Sequence, residues 1–251
     1  MEAKTSPLYI SALERGLRVL EAFGSGAEAL SLPDVTAAAG LTKSAAQRAL
    51  YTLNELGYVS KDPKTKQYRL TLKCLETGYN YLSKDQLVRR ANPHLHALNA
   101  LCGETCSLSE PSGNTMVFVA RYPSHKSLYV YFPIGLRIPM YCAASGRAFL
   151  SRLPTDEAKT IIESTDLIQY TENTISDAQT LLELVDEARR RGFAWANGEF
   201  FQGDINVGAA VVDKSGRPIG AVNISVPSSR WTLERACTEL GPKVLETCRA
   251  V

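Results

Sequence analysis

The chain of 251 residues is 45% hydrophobic and 22% charged, the balance of a soluble globular protein with one large domain or two ordinary ones. No run of eighteen apolar residues occurs, which excludes a membrane-spanning helix. The first 25 residues carry Glu2, Glu14, Arg15, Arg18 and Glu21 where a signal peptide would have an apolar core, so no export is expected.

Segment 11–23 places Leu13, Leu17, Leu20 and Phe23 at helical spacing and predicts an amphipathic helix. A second helix is expected from Ser31, with Leu32, Val35 and Ala38 on one face and Gly40 as its stop. Thr42 is a good N-cap for a third helix that runs to about Leu56 and ends at Gly57. Its apolar side is Ala46, Leu50, Leu53 and Leu56, which leaves Lys43, Ser44, Gln47 and Arg48 elsewhere on its surface. Two strands, 58–61 and 67–70, then flank the turn Asp62-Pro63-Lys64-Thr65.

Three helices followed by a basic hairpin, in that order, form a winged helix-turn-helix, whose third helix enters the major groove of DNA. The distribution of charge agrees. The net charge is only +2, but the excess lies in residues 1–82, with ten Lys/Arg against eight Asp/Glu, whereas residues 83–251 hold eighteen of each. Arg and Gln suit bidentate reading of guanine and adenine, and Lys and Ser suit phosphates. The expected DNA contacts are therefore Thr42, Lys43, Ser44, Gln47 and Arg48 on the helix, with Lys64, Lys66 and Arg69 on the wing. Each alone is an ordinary surface residue; their order is what points to double-stranded DNA.

Leu72, Leu75, Tyr79 and Leu82 predict a further amphipathic helix that breaks at Ser83-Lys84 and leads into a longer helix over 85–102. Short strands rich in Val, Phe and Tyr are expected at 105–110, 115–122 and 126–132. Next come an extended stretch to about Cys142, a helix from Ala144 or Ser145, helices at 155–163 and 177–191, and a strand at 193–197. A hairpin of 205–212 and 218–226 and a final helix over 232–249 complete the chain. The fold class is α+β. The expected organisation is a DNA-binding domain over 1–71, a helical linker over 72–84 and a second domain over 85–251.

In the second domain, Asn206, Asn223 and Ser225 are polar residues inside otherwise apolar strands, and Asn223 and Ser225 share a face. Buried polar groups need partners, and a bound ligand is one way to supply them. Ala143-Ala144-Ser145-Gly146 would leave backbone amides open at the start of a helix, an end that attracts anions.

These segments, above all Gly146-Arg147 and the closing Pro227…Arg230, resemble the IclR family of bacterial transcription regulators over nearly the whole chain. The resemblance implies a GAF-like effector domain, a DNA-binding homodimer that often pairs into a dimer of dimers, and a palindromic operator. It places the effector against Ala144, Ser145, Asn206, Asn223 and Ser225, with Tyr131, Leu136 and Met140 as apolar walls. Some members carry an acidic residue where this chain has Ala196, and a cysteine where it has Asn206. A small organic acid, aromatic or not, is the expected effector, its carboxylate on the amides of residues 144–146.

No catalytic motif, cofactor motif or metal site is read from the sequence. His94 and His96 point about 200° apart on a helix and do not share an ion. The six scattered cysteines, Cys74, Cys102, Cys106, Cys142, Cys237 and Cys248, read as reduced thiols of a cytoplasmic protein, mostly buried. Cys106 and Cys142 show no base beside them. Two alternatives stay open: a regulator that senses redox state through a cysteine, and a winged helix that binds protein instead of DNA.

Overall fold

The computed structural model describes residues 6–126 and 132–251. It divides between Ser83 and Lys84 into two compact units.

The first unit contains α1 (Ser11–Glu21), a 3-10 turn (Ala22–Ser25), α2 (Leu32–Ala39), α3 (Lys43–Glu55), β1 (Val59–Lys61), β2 (Tyr68–Leu70) and α4 (Lys73–Leu82). The caps act as their residue types require. Ser31 and Asp34 form a reciprocal capping box on α2, and the Thr42 hydroxyl accepts a bond from the Ala45 amide at the start of α3. β1 and β2 pair antiparallel, and Leu30 bridges to Tyr68, tying the loop before α2 to the hairpin.

Val19, Phe23, Leu30, Val35, Ala39, Leu50, Leu53, Val59 and Tyr68 make the core of this unit. The inward side of α1 is thus only partly the expected one. Val19, Ala22 and Phe23 are buried, while Leu13 and Leu17 are 59% and 51% exposed. Leu13, Leu17 and Leu20 line an open apolar groove together with Leu56 and Leu70. On α2 the buried pair is Val35 and Ala39, with Ala38 turned outward, and Leu56 at the end of α3 is exposed. A unit this small cannot surround every apolar stripe it carries. The helix α4 has no buried residue; its Leu75 and Tyr79, and Leu72 at its N-cap, are exposed.

The second unit runs through α5 (Gln86–Cys102), β3 (Thr105–Ser112), β4 (Thr115–Tyr122), β5 (Arg137–Pro139), a 3-10 turn (Met140–Cys142), α6 (Ala144–Leu150), α7 (Thr155–Glu163) and α8 (Ala178–Arg191). β6 (Ala194–Asn197), β7 (Asp204–Val212), β8 (Pro218–Pro227), α9 (Leu233–Glu239) and α10 (Gly241–Ala250) follow. Among the described residues the sheet has six strands, antiparallel throughout, in the order β5-β4-β3-β8-β7-β6. Alternation along β8 separates its two sides. A Cβ on Gly220 would meet Leu87 of α5, so the side chains of Asn223 and Ser225 point to the opposite face, where α6 lies.

The single helix expected over 232–249 is two helices, interrupted at Leu240-Gly241. Pro242 has no amide to donate, which breaks the bonding ladder there. Gly241 also packs beneath Phe193, where a Cβ would fall 2.5 Å from the ring. Of the strand expected over 126–132, residues 127–131 lie outside the described residues. No described helix is long and apolar enough to cross a membrane.

Candidate functional site

On α3 the buried residues Ala46, Leu50 and Leu53 fix one side, and Thr42, Lys43, Ser44, Gln47 and Arg48 are all exposed. Ser44, Gln47, Arg48 and Tyr51 follow helical i, i+3, i+4, i+7 spacing, so Tyr51, 67% exposed, extends this face by a turn. The same spacing could have flagged it in the sequence. Arg48 stands at the rim of the apolar groove beside α1.

In the hairpin turn the Asp62 carboxylate accepts bonds from the amides of Lys64 (2.7 Å) and Thr65 (3.0 Å). Those two bonds hold its carboxyl below the usual carboxylate value, and they set Lys64 at an exposed tip. Lys66 is exposed and adopts a left-handed φ of 61°. Arg69 is turned back onto Glu28, at 2.7 Å, so a phosphate would have to compete with that exposed ion pair.

In the second unit a small cavity of about 30 Å³ lies between α6 and the sheet. Ala144, Ser145, Asn206, Asn223 and Ser225 all line it, together with Phe118, Phe132, Phe200, Phe201 and Ile138. The expected walls Leu136 and Met140 do not. Met140 is buried in the adjacent core cluster, and Leu136 packs against that same cluster. The cause is the tight turn before α6, in which the Met140 backbone lies so close that a Cβ on Gly146 would sit 2.3 Å from it. Tyr131 lies outside the described residues. Gly208 likewise brings β7 close: a Cβ there would be 3.0 Å from the Ser145 nitrogen.

The polar floor of the cavity is a directional chain. Asp204 accepts from the Ser225 hydroxyl (2.6 Å) and from Asn206 Nδ2 (2.5 Å), and Asn206 Oδ1 accepts from Asn223 Nδ2 (2.9 Å). An ionised carboxylate only accepts, so each amide is oriented in turn, and Asn223 Oδ1 is left buried without a partner. Such an acceptor costs about 1–3 kcal/mol until a donor reaches it. Burial pushes the Asp204 carboxyl up to about 6, against the bonds from Ser225 and Asn206 and the charge of Arg121.

Asp204 therefore makes folding favour the protonated form. Its contribution should raise stability as pH falls from about 6 toward the unfolded value near 4, and level off below it. Denaturation midpoints across that window should show the rise in the wild-type chain and lose it in Asp204→Asn; identical slopes would remove the assignment.

Arg121 stands over the rings of Phe118 and Phe132, 5.5 Å from each centroid, and bonds Ser107 at 3.5 Å. Phe132 meets Phe201 edge-on at 5.7 Å. Behind this wall lies a buried ion pair, Arg147 with Glu199, each side chain 1% exposed. Arg147 also donates to the carbonyls of Tyr141 (2.8 Å) and Trp195 (3.0 Å). Thr174 donates to the carbonyl of Glu199 at 2.6 Å. This network pins the loop that carries Phe200 and Phe201. Arg121, Asp204, Glu199 and the phenylalanines were not singled out from the sequence. Only Asp204 left a signal there, two residues before Asn206 on the same strand face.

Residues 12–63 match the profile of the IclR helix-turn-helix domain, and residues 79–251 match that of the bacterial transcriptional regulator IclR C-terminal domain. The chain is similar to the HTH-type transcriptional regulator KdgR of Escherichia coli (strain K12), at 31% identity over 91% of this chain and 87% of KdgR. Among solved structures it resembles a transcriptional regulator from Rhodococcus sp. RHA1, at 36% identity and a TM-score of 0.81 over 96% of both chains. Its fold also matches that of an IclR homolog from Microbacterium hydrocarbonoxydans solved with 4-hydroxybenzoate, with a TM-score of 0.73 and 22% identity over 96% of this chain and all of that one (100%). With both halves matched in order, the chain belongs to the IclR family of bacterial transcriptional regulators, a helix-turn-helix DNA-binding domain followed by the family's C-terminal domain.

Proposed function

We propose that this regulator binds a palindromic operator as a homodimer through α3 and the β1–β2 wing, and that a small aromatic acid in its second domain alters that binding. Residues 1–71 grip DNA, 72–84 form the linker and 85–251 bind the effector. The observation that carries the effector reading is the orphan acceptor Asn223 Oδ1 in a cavity walled by phenylalanines. It calls for a ligand with a donor, such as a hydroxyl, at one end. Arg121 and the backbone amides of residues 144–146 suit a carboxylate at the other. 4-Hydroxybenzoate, found with the Microbacterium protein, has both groups on one ring.

The exposed stripe of Leu72, Leu75 and Tyr79, with the groove of Leu13, Leu17, Leu56 and Leu70, supports the dimer, since a second copy would bury it. Dimers pair further into a dimer of dimers. The effector acts only by preferring one of two arrangements of the DNA-binding domains.

The test is a thermal-shift titration with matched hydroxylated and unhydroxylated aromatic acids. A hydroxylated acid should stabilise the chain more than its parent. Asn223→Leu should weaken that acid roughly tenfold, the worth of one hydrogen bond, and leave the parent acid's affinity nearly unchanged. No response to any acid, or equal responses in both proteins, would overturn the reading.

A further inference from the structure

We propose that Cys102 and Cys106 form a reversible dithiol–disulfide pair, oxidised by hydrogen peroxide. The inference stands apart from the identity of the effector, because its chemistry requires neither ligand nor DNA.

Cys102 is the last residue of α5 and Cys106 the second of β3. Between them Gly103 takes a left-handed φ of 69°, which reverses the chain sharply and brings the two sulfurs to 3.7 Å. A disulfide needs about 2.0 Å, so closing the bond takes a short movement of side chains already facing each other. Cys142 and Cys248, by contrast, bond the backbone carbonyls of Pro139 and Ala209.

The two thiols occupy different environments, as an attacking and a resolving thiol should. Cys102 is partly exposed and receives a bond from the Glu104 amide at 3.5 Å. Cys106 is fully buried. The hydrogen bond from Cys106 draws the Cys102 thiol down to about 7, while the same bond and burial push the Cys106 thiol up. A thiolate on the accessible sulfur is the nucleophile this chemistry needs. Glu104 between them is clamped by Lys126 (3.1 Å), Arg230 (2.9 Å) and the Trp231 indole (3.2 Å), which holds the turn in this shape.

The step balances with one peroxide. The Cys102 thiolate attacks a peroxide oxygen; an S–O bond forms, the O–O bond breaks, and the departing hydroxide leaves as water with a proton. Cys106 sulfur then attacks Cys102 Sγ; the S–S bond forms, the S–O bond breaks, and the second hydroxide leaves as water with the Cys106 proton. Two thiols lose two electrons and two protons, and the peroxide is reduced to two waters.

The pair is placed to influence the cavity. In the β3–β8 register, Thr105 lies opposite Ser225 and Ser107 opposite Asn223, so Cys106 sits between the two positions that face the polar floor.

Peroxide treatment of the reduced full-length chain, followed by alkylation, trypsin digestion and mass spectrometry, tests this. Residues 91–121 form one tryptic peptide that holds both cysteines and no third. That peptide should lose two hydrogens, regain them with dithiothreitol, and do so before Cys142 or Cys248 reacts. Cys106→Ser should leave Cys102 as a sulfenic acid that dimedone captures, and Cys102→Ser should slow oxidation of Cys106 by roughly tenfold or more. The proposal is overturned if the peptide retains two alkylatable thiols while other cysteines oxidise. It is equally overturned if Cys106 oxidises as fast without Cys102.

Discussion

Replacing Arg147 with methionine should destabilise the second unit by about 3–5 kcal/mol, because it strands the carboxylate of Glu199 away from water. Both side chains are 1% exposed, and Arg147 also satisfies the carbonyls of Tyr141 and Trp195. One substitution thus removes a charge partner and the donors for two carbonyls. The pair need not be more stabilising than an apolar pair of the same size; what is costly is breaking it. Arg147→Met combined with Glu199→Leu should therefore recover a large part of the loss. The only two tryptophans of the chain, Trp195 and Trp231, both lie in the second unit, so their fluorescence in a denaturant series reports that unit alone. A single-variant loss below about 1 kcal/mol would mean that water reaches the pair.

Arg48→Ala should weaken specific operator binding by about 1–3 kcal/mol for each half-site, the worth of a bidentate contact to a guanine edge. Arg48 is exposed on the side of α3 away from Ala46 and Leu50, so the fold should be unaffected, and acid binding in the other domain should stay at the wild-type level. Lys64→Ala at the wing tip should behave differently. It should weaken binding to all sequences alike and reduce the salt slope by about 1. If Arg48→Ala binds specific DNA as well as the wild-type chain does, α3 is not the reading helix.

Much of the first unit was legible because its signals are local. Ser31, Thr42 and the Asp62 turn act through neighbours within a few residues, and each side chain accepts a bond from a nearby amide. The face that α1 buries was only partly legible. Of the expected Leu13, Leu17, Leu20 and Phe23, packing buries Phe23 and part of Leu20 and adds Val19 and Ala22, while Leu13 and Leu17 stay exposed. In the second unit, Asn206, Asn223 and Ser225 stood out as polar residues in apolar strands, and strand register does bring them together. The walls were missed because β4 and distant loops supply the aromatic residues, and adjacency between segments so far apart in sequence leaves no periodic trace. The Gly241-Pro242 break was readable from proline chemistry alone. The thiol pair was not, since only the turn at Gly103 aligns the two sulfurs.

We propose that one molecule couples sequence-specific DNA binding to a small acid. The most direct test is a fluorescence-anisotropy titration of the purified chain on DNA flanking its own gene, with and without hydroxylated aromatic acids, over a range of salt. Binding should be specific and steeply salt-dependent, at least one acid should strengthen or weaken it, and that response should be lost in Asn223→Leu. Failure to distinguish that DNA from unrelated sequence at low salt, or specific binding that no acid changes, would contradict the proposal.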